Sequence, residues 1–189
     1  MVDHSWSIDL SFVVPGSNEN RWSDLAATLI STDPNPLADL LGLEFDSVHR
    51  EVNVVGATKR SDRLDLLLRR DGKDVAVIEA KLLSDLGPQQ LDRYQVAFPE
   101  AQAYRVLHLA QIPVKLRNIE PWESLTWEAV IDAYTRSRHS WVSATAQAWA
   151  GQLEQLIPRV GPDTVWNDVP DDAQGFELAL RSRVAWLSA

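Results

Sequence analysis

In the stretch RLDLLLRRDGKDVAVIEAK, residues 63–81, two apolar runs flank the turn-forming pair Asp71-Gly72. Both runs have strand length and are rich in aliphatic side chains, so the pattern predicts a β-hairpin. Asp65 interrupts the first run, where a carboxylate at a buried position costs free energy unless something compensates it. Glu79 and Lys81 follow the second run two residues apart, which places them on one face of an extended chain. Whether Asp65 shares that face depends on the turn. With a two-residue Asp71-Gly72 turn it pairs with Ile78 and faces away from Glu79. With a three-residue loop, Asp71-Gly72-Lys73, or an equivalent bulge, it lies opposite Glu79. The second arrangement is expected, because two carboxylates about 4.5–5.5 Å apart at Cβ can then share one cation.

Outward from the hairpin, Ser47 to Val55 reads as a strand preceding it. Gly87-Pro88 opens a helix running to about Phe98, and Tyr104 to Leu109 reads as a fourth strand. On the N-terminal side, Trp22, Leu25, Ala26, Leu29 and Ile30 predict a helix over Asn20 to Ile30, stopped by Asp33-Pro34-Asn35-Pro36. A further helical turn, Leu37 to Leu41, ends at Gly42. Beyond Pro113 the chain becomes Trp-rich, with Trp122, Trp127, Trp141, Trp149, Trp166 and Trp186. Apolar residues at helical spacing in Ser140 to Ile157, and again at Phe176, Leu180, Val184 and Leu187, predict helices there. The tryptophans read as packing residues rather than stacking platforms. The expected organisation is a core over residues 1–112 and a helical, Trp-rich C-terminal extension over 113–189 packed on it.

Composition bounds the function. The 189 residues include 45% hydrophobic and 24% charged side chains, ordinary for a globular chain. There is no cysteine, which excludes disulfide frameworks, thiolate metal sites and cysteine nucleophiles. Met1 to Asp9 lacks a basic region and no apolar run approaches the ~20 residues of a membrane span, so the expectation is a cytoplasmic protein with no membrane partner. The net charge of −9 argues against a non-specific nucleic-acid coat. Charge is uneven: residues 1–48 hold one basic and eight acidic side chains, whereas residues 49–70 hold six basic and three acidic. The basic run Lys59-Arg60-Ser61-Asp62-Arg63 suits either a solvated loop or a phosphate backbone beside an acidic site. The four histidines, His4, His49, His108 and His139, lack metal-ligand spacing. No G-x-x-x-x-G-K-[ST] loop is present, which argues against ATP hydrolysis.

Two facing carboxylates suit a hard divalent ion such as Mg²⁺ or Mn²⁺. Such an ion can bind a phosphate oxygen and lower the pKa of a water, and Lys81 beside it can position that water or stabilise a pentavalent phosphorus. Asp65 followed by Glu79-Ala80-Lys81 resembles the D…(D/E)-x-K signature of the PD-(D/E)xK nuclease superfamily. Gln90-Leu91-Asp92-Arg93-Tyr94 resembles the Q-x-x-x-Y helix motif of its exonuclease-like branch, with Gln90 and Tyr94 on one helical face. Arg50-Glu51-Val52 resembles the segment whose glutamate often precedes the family's aspartate, and Glu19-Asn20 the helix acid of some members. The likeness covers residues 19–110. It departs from the pattern at Leu64, where the name motif has proline.

The resemblance implies an α/β, restriction-endonuclease-like core, with a four-stranded mixed β-sheet flanked by helices. It implies Mg²⁺ (or Mn²⁺) held by Asp65, Glu79 and the Ala80 carbonyl, with Glu51 as a further metal-shell residue, Lys81 as catalytic lysine, and Gln90 and Tyr94 ordering the site and the DNA backbone. The implied activity is metal-dependent hydrolysis of DNA phosphodiester bonds, in genome defence or repair. The alternative is a catalytically inactive nuclease-fold module that binds nucleic acid, or a partner protein through its C-terminal half.

Overall fold

A computed structural model describes residues 18–55, 61–82, 84, 86–87, 89–110 and 120–156. The expected helix near the C-terminus and the segment Lys59-Arg60 lie outside these residues. Asn18 caps the first helix, α1 (Glu19–Thr32), by accepting from the Arg21 amide at 3.3 Å. Its buried stripe is Trp22, Leu25, Ala26, Leu29 and Ile30 with Ser23 and Ala27. Helix α2 (Asn35–Leu41) starts earlier than the sequence pattern suggests, inside the Pro-rich breaker. Pro34 stands at its N-cap and Pro36 in its first turn, where a missing N–H costs nothing. It ends at Gly42, whose φ of 66° is the left-handed conformation that glycine adopts without strain.

Strands β1 (Ser47–Val55), β2 (Ser61–Arg70) and β3 (Lys73–Ala80) run antiparallel in sequence. The β2–β3 connection is the two-residue one: Arg70 pairs with Lys73, and Asp71 and Gly72 both have positive φ, 50° and 75°. That turn alone would set Asp65 against Ile78. The register shifts between Leu68 and Arg69, however, so that Arg69 opposes Asp74 but Leu68 opposes Ala76. Val75 is the extra residue of a bulge, and it buries in the same core as its neighbour Ala76. Leu66 therefore pairs with Ile78, and continuing the same register brings Asp65 level with Glu79, by the bulge rather than by a longer loop.

Helix α3 (Gln90–Ala97) follows, with Gln89 at its N-cap position at φ 55° and no side-chain capping bond. It begins later than a Gly87-Pro88 start predicts, and Pro88 lies outside the described residues. Strand β4 (Ala103–His108) pairs parallel to β3 and is flanked on its other side by β5 (Trp122–Thr126), also parallel. Among the described residues the sheet thus has five strands, in the order β1-β2-β3-β4-β5, and not the four expected. The fifth comes from the segment read as purely helical. In β5 only Trp122 and Leu125 are buried, so neither period-two alternation nor a continuous apolar run marks it in the sequence. Thr126 then caps α4 (Trp127–Thr135), and α5 (Ser140–Leu156) closes the described chain.

The architecture is α/β, with helices on both faces of a mixed sheet. One face carries α1, α2, α4 and α5 over Leu66, Leu68, Ala76, Ile78 and Leu107; the other carries α3 over Leu64, Leu67, Val77 and Val106. The centre of the first layer is a cluster of three buried tryptophans, Trp22 of α1, Trp127 of α4 and Trp149 of α5, with ring centroids 5.3–5.6 Å apart. Trp122 packs against Tyr104 and Tyr94 on the second face. No helix among the described residues is long and apolar enough to cross a membrane.

Because each ring of the Trp cluster leans on the other two, truncating one leaves a void that its neighbours cannot fill. Trp149→Ala is expected to destabilise the protein by about 3–5 kcal/mol, read as a shift in the urea midpoint. A shift of well under 1 kcal/mol would show that α5 is not part of the cooperative core.

Candidate active site

Glu79 sits near the C-terminal end of β3, a central strand buried on both faces, and its side chain is 1% exposed. The carboxylate is held from two sides through one oxygen. Oε1 accepts from Lys81 Nζ at 2.7 Å and from Gln90 Nε2 at 2.8 Å. The other oxygen, Oε2, is buried without a hydrogen-bond partner. Gln90 makes two further bonds. Its Nε2 also donates to the Tyr94 hydroxyl at 2.9 Å, and its Oε1 accepts from the Gly87 amide at 3.0 Å. Tyr94 donates in turn to the Arg63 carbonyl at 2.8 Å. The pair at four-residue spacing on α3 thus ties β3 to β2 through Glu79, and both N–H donors of the Gln90 amide are used within the protein.

Asp65 arrives from β2 at a break in side-chain alternation. Leu64 and Leu66, two apart on one strand, bury in opposite cores. Across on β1, Arg50 pairs with Leu66 and Val52 with Leu64, and Glu51 between them has a φ of 47°, a left-handed conformation rare for a residue with a Cβ. The local twist turns the Asp65 carboxylate toward β3, where Oδ2 accepts from the Ala80 amide at 2.9 Å. Its Oδ1 faces Arg50 Nη1 at 3.6 Å. Arg50 also donates to the Asp65 carbonyl, the Asn20 carbonyl and the Asp24 carboxylate, bracing β2 against α1.

The electrostatics follow from burial. Desolvation, then the neighbouring Asp65, pushes the Glu79 carboxyl up to about 8, against the pull of Lys81. Burial likewise raises Asp65, opposed by the Ala80 N–H, Lys81 and Arg50. Burial acts to lower Lys81, but the carboxylate of Glu79 outweighs it, so the ammonium is held more firmly than usual. Burial and the Glu79 charge raise Tyr94, which stays a neutral donor.

The structure therefore brings Asp65, Glu79, Lys81, Gln90 and Tyr94 together. It does not join Glu51 to them: that carboxylate is 41% exposed and paired with Arg63 at 2.9 Å. Among the described residues no three histidine or acidic side chains form a metal-binding group; the two carboxylates that meet here are Asp65 and Glu79. Their chemistry fits a hard divalent ion. Glu79 contributes a buried oxygen without a hydrogen-bond partner, the Asp65 carboxyl lies against it with Oδ1 3.6 Å from Arg50 Nη1, and both carboxyls resist ionisation without added positive charge. Sequence reasoning missed Arg50, which alternation alone cannot tell from a solvated strand residue, and gave Glu19 only as a family-type helix acid. Asp62 and Arg93 form an ion pair between β2 and α3. His108, as its strand position suggests, is a satisfied core residue, bonded to the Leu109 carbonyl and Ser124 hydroxyl.

No family model matches the chain, and no curated protein matches it. Among solved structures it is similar to protein VC1899 from Vibrio cholerae, with 14% identity and a TM-score of 0.42. The match covers 67% of this chain and 34% of that protein, about a third of its length, and a likeness this distant carries no inference.

A carboxyl raised above its ordinary value stabilises the fold most at low pH, and that contribution is lost as pH climbs through the folded-state value. For Glu79 the window runs from 4.5, its ordinary value, to about 8. In chelator, the thermal midpoint is expected to fall between pH 5 and 9, and Glu79→Gln, neutral throughout, to flatten most of that fall. An identical pH slope in both proteins would show that Glu79 is already ionised at pH 5.

Proposed function

We propose that this protein is a divalent-metal-dependent DNA nuclease of the PD-(D/E)xK kind, with a restriction-endonuclease-like core. The observation that carries this reading is the convergence of Asp65, Glu79 and Lys81 at one end of the β2–β3 hairpin, with a buried oxygen of Glu79 left unpartnered. Asp65 and Glu79, together with the Ala80 carbonyl, would hold Mg²⁺ or Mn²⁺. Bound there, the ion supplies Lewis-acid stabilisation of a phosphate oxygen and a water acidified toward neutral pH.

The chain's own residues do the rest. Lys81 is protonated and lies 2.7 Å from Glu79, so its ammonium can donate to the attacking water or to a nonbridging oxygen. As the new P–O bond forms and the bond to the leaving sugar oxygen breaks, that donor meets the charge growing on the phosphoryl oxygens. Gln90 keeps Glu79 in one rotamer by donating to Oε1, which leaves Oε2 as the ligating oxygen. Tyr94 holds Gln90 and the β2 backbone in register. With both N–H donors used inside the protein, Gln90 serves the site rather than the DNA backbone. The DNA assignment itself is supported by the family resemblance of the motifs, and a cytoplasmic setting belongs to the same proposal.

The test is incubation with linear and circular DNA in Mg²⁺, Mn²⁺ or EDTA. Cleavage in either metal but not in EDTA is expected, and Lys81→Ala should lower the rate by roughly 10²–10³-fold while the fold, checked by circular dichroism, is unchanged. Full activity in EDTA or in Lys81→Ala overturns the assignment of the site. Failure to cut any DNA in any metal turns the reading to a binding module.

Metal binding has its own readout. Ion that binds only the folded state raises the thermal midpoint, so millimolar Mn²⁺ is expected to stabilise the wild type and to leave Glu79→Gln and Asp65→Asn unmoved. Equal stabilisation of all three would place the ion elsewhere.

A further inference from the structure

The chain leaving β3 is held at an unusual number of points directly after Lys81. The Lys81 amide donates to the Leu107 carbonyl at 2.7 Å, and the Lys81 carbonyl accepts from the Trp127 indole at 3.1 Å. The next contacts come from α1. Glu19 Oε1 accepts from both the Leu82 and Ser84 amides at 2.8 Å, and Glu19 Oε2 from the Ser84 hydroxyl at 2.8 Å. Leu82 stands 63 residues from Glu19 in sequence, so this is a tertiary clasp. It is braced one turn further along α1, where Trp22 packs edge-on against the same Trp127.

A carboxylate that already accepts three hydrogen bonds from protein donors is poorly placed to serve a cation as well. Its charge suits its position in the first turn of α1, where unpaired amides favour an anion. What the clasp fixes is the backbone on which Lys81 stands, and Lys81 must meet both Glu79 and the reacting phosphate. A misplacement of about 1 Å at such a group can cost about 100-fold in rate.

We propose that Glu19 is a positioning residue: its carboxylate clasps the strand exit at Leu82 and Ser84 and thereby sets where Lys81 Nζ lies against Glu79. The catalytic consequence rests on the nuclease reading; the clasp itself does not.

Glu19→Gln and Glu19→Ala separate a clasp from a ligand, because a carboxamide oxygen still accepts from the two amides whereas it binds a hard cation poorly. Three measurements apply: amide hydrogen exchange at Leu82 and Ser84, the NMR signal of Lys81 Nζ, and Mg²⁺-dependent cleavage of linear DNA. Glu19→Gln is expected to keep amide protection and a kcat within about threefold of wild type. Glu19→Ala is expected to lose that protection, shift the Lys81 signal and lower kcat about 10–100-fold, with KM for DNA and the Mg²⁺ requirement little changed. Ser84→Ala, which deletes one of the three bonds, should give a smaller change of the same kind and serves if Glu19→Ala does not fold.

The proposal is overturned if Glu19→Gln is as impaired as Glu19→Ala with a raised Mg²⁺ requirement, which would make Glu19 a ligand. It is overturned equally if Leu82 and Ser84 exchange freely in wild type, or if Glu19→Ala leaves the Lys81 signal and kcat untouched. A wild-type protein that cuts no DNA overturns the nuclease reading instead; exchange and the Lys81 signal still decide the clasp.

Discussion

The site depends on one buried carboxylate. Glu79 is almost wholly removed from water, and such a group persists in a fold only if its neighbours repay the lost hydration. Lys81 and Gln90 do so at one oxygen, and the second oxygen is the unresolved remainder. That asymmetry orders everything around it. It explains why an amide from α3 reaches into the sheet, why a lysine two residues on folds back rather than extending into solvent, and why added positive charge would be welcome beside Asp65.

Placing Asp65 there requires two departures from regular β-structure. The Val75 bulge moves the β2–β3 register by one residue, and the break in alternation at Asp65, matched by the left-handed Glu51 on β1, turns its carboxylate onto the Ala80 amide. Without the bulge, the side chain level with Asp65 would be Ile78. Bulges and strained backbone cost free energy locally and are retained where they re-aim a side chain. Here both fall within a few residues of the same two carboxylates.

The helical layer is part of the same device. Trp22, Trp127 and Trp149 come from three helices distant in sequence and form one cluster, and from that cluster the Trp127 indole reaches the Lys81 carbonyl. Residues 122–156 thus add both a strand to the sheet and a brace behind the site, rather than standing apart as an appendage.

Several features were legible in the residues alone. The hairpin, the strand at Ser47–Val55 and the shared face of Glu79 and Lys81 follow from local periodicity, because strand repeats act over a few residues; the helix of Gln90 and Tyr94 was read from its start signal, and the pair itself from the family resemblance. The packing role of Trp22, Trp122, Trp127 and Trp149 is likewise read from spacing, whereas Trp141, expected on the same helical face as Trp149, is exposed. Which of two registers the hairpin adopts was left open by its turn residues, since Asp71-Gly72 is compatible with both and the deciding bulge lies three residues away at Val75. Strand β5 carries too few buried residues to announce itself, and its place beside β4 is a long-range pairing. Arg50 and Glu19 acquire their roles only across 15 to 65 residues of intervening chain. Sequence by itself determined which groups were available and which way neighbours point. Only the tertiary structure decided which of them meet, because charge compensation for a buried carboxylate is a matter of distance in space and not of spacing along the chain.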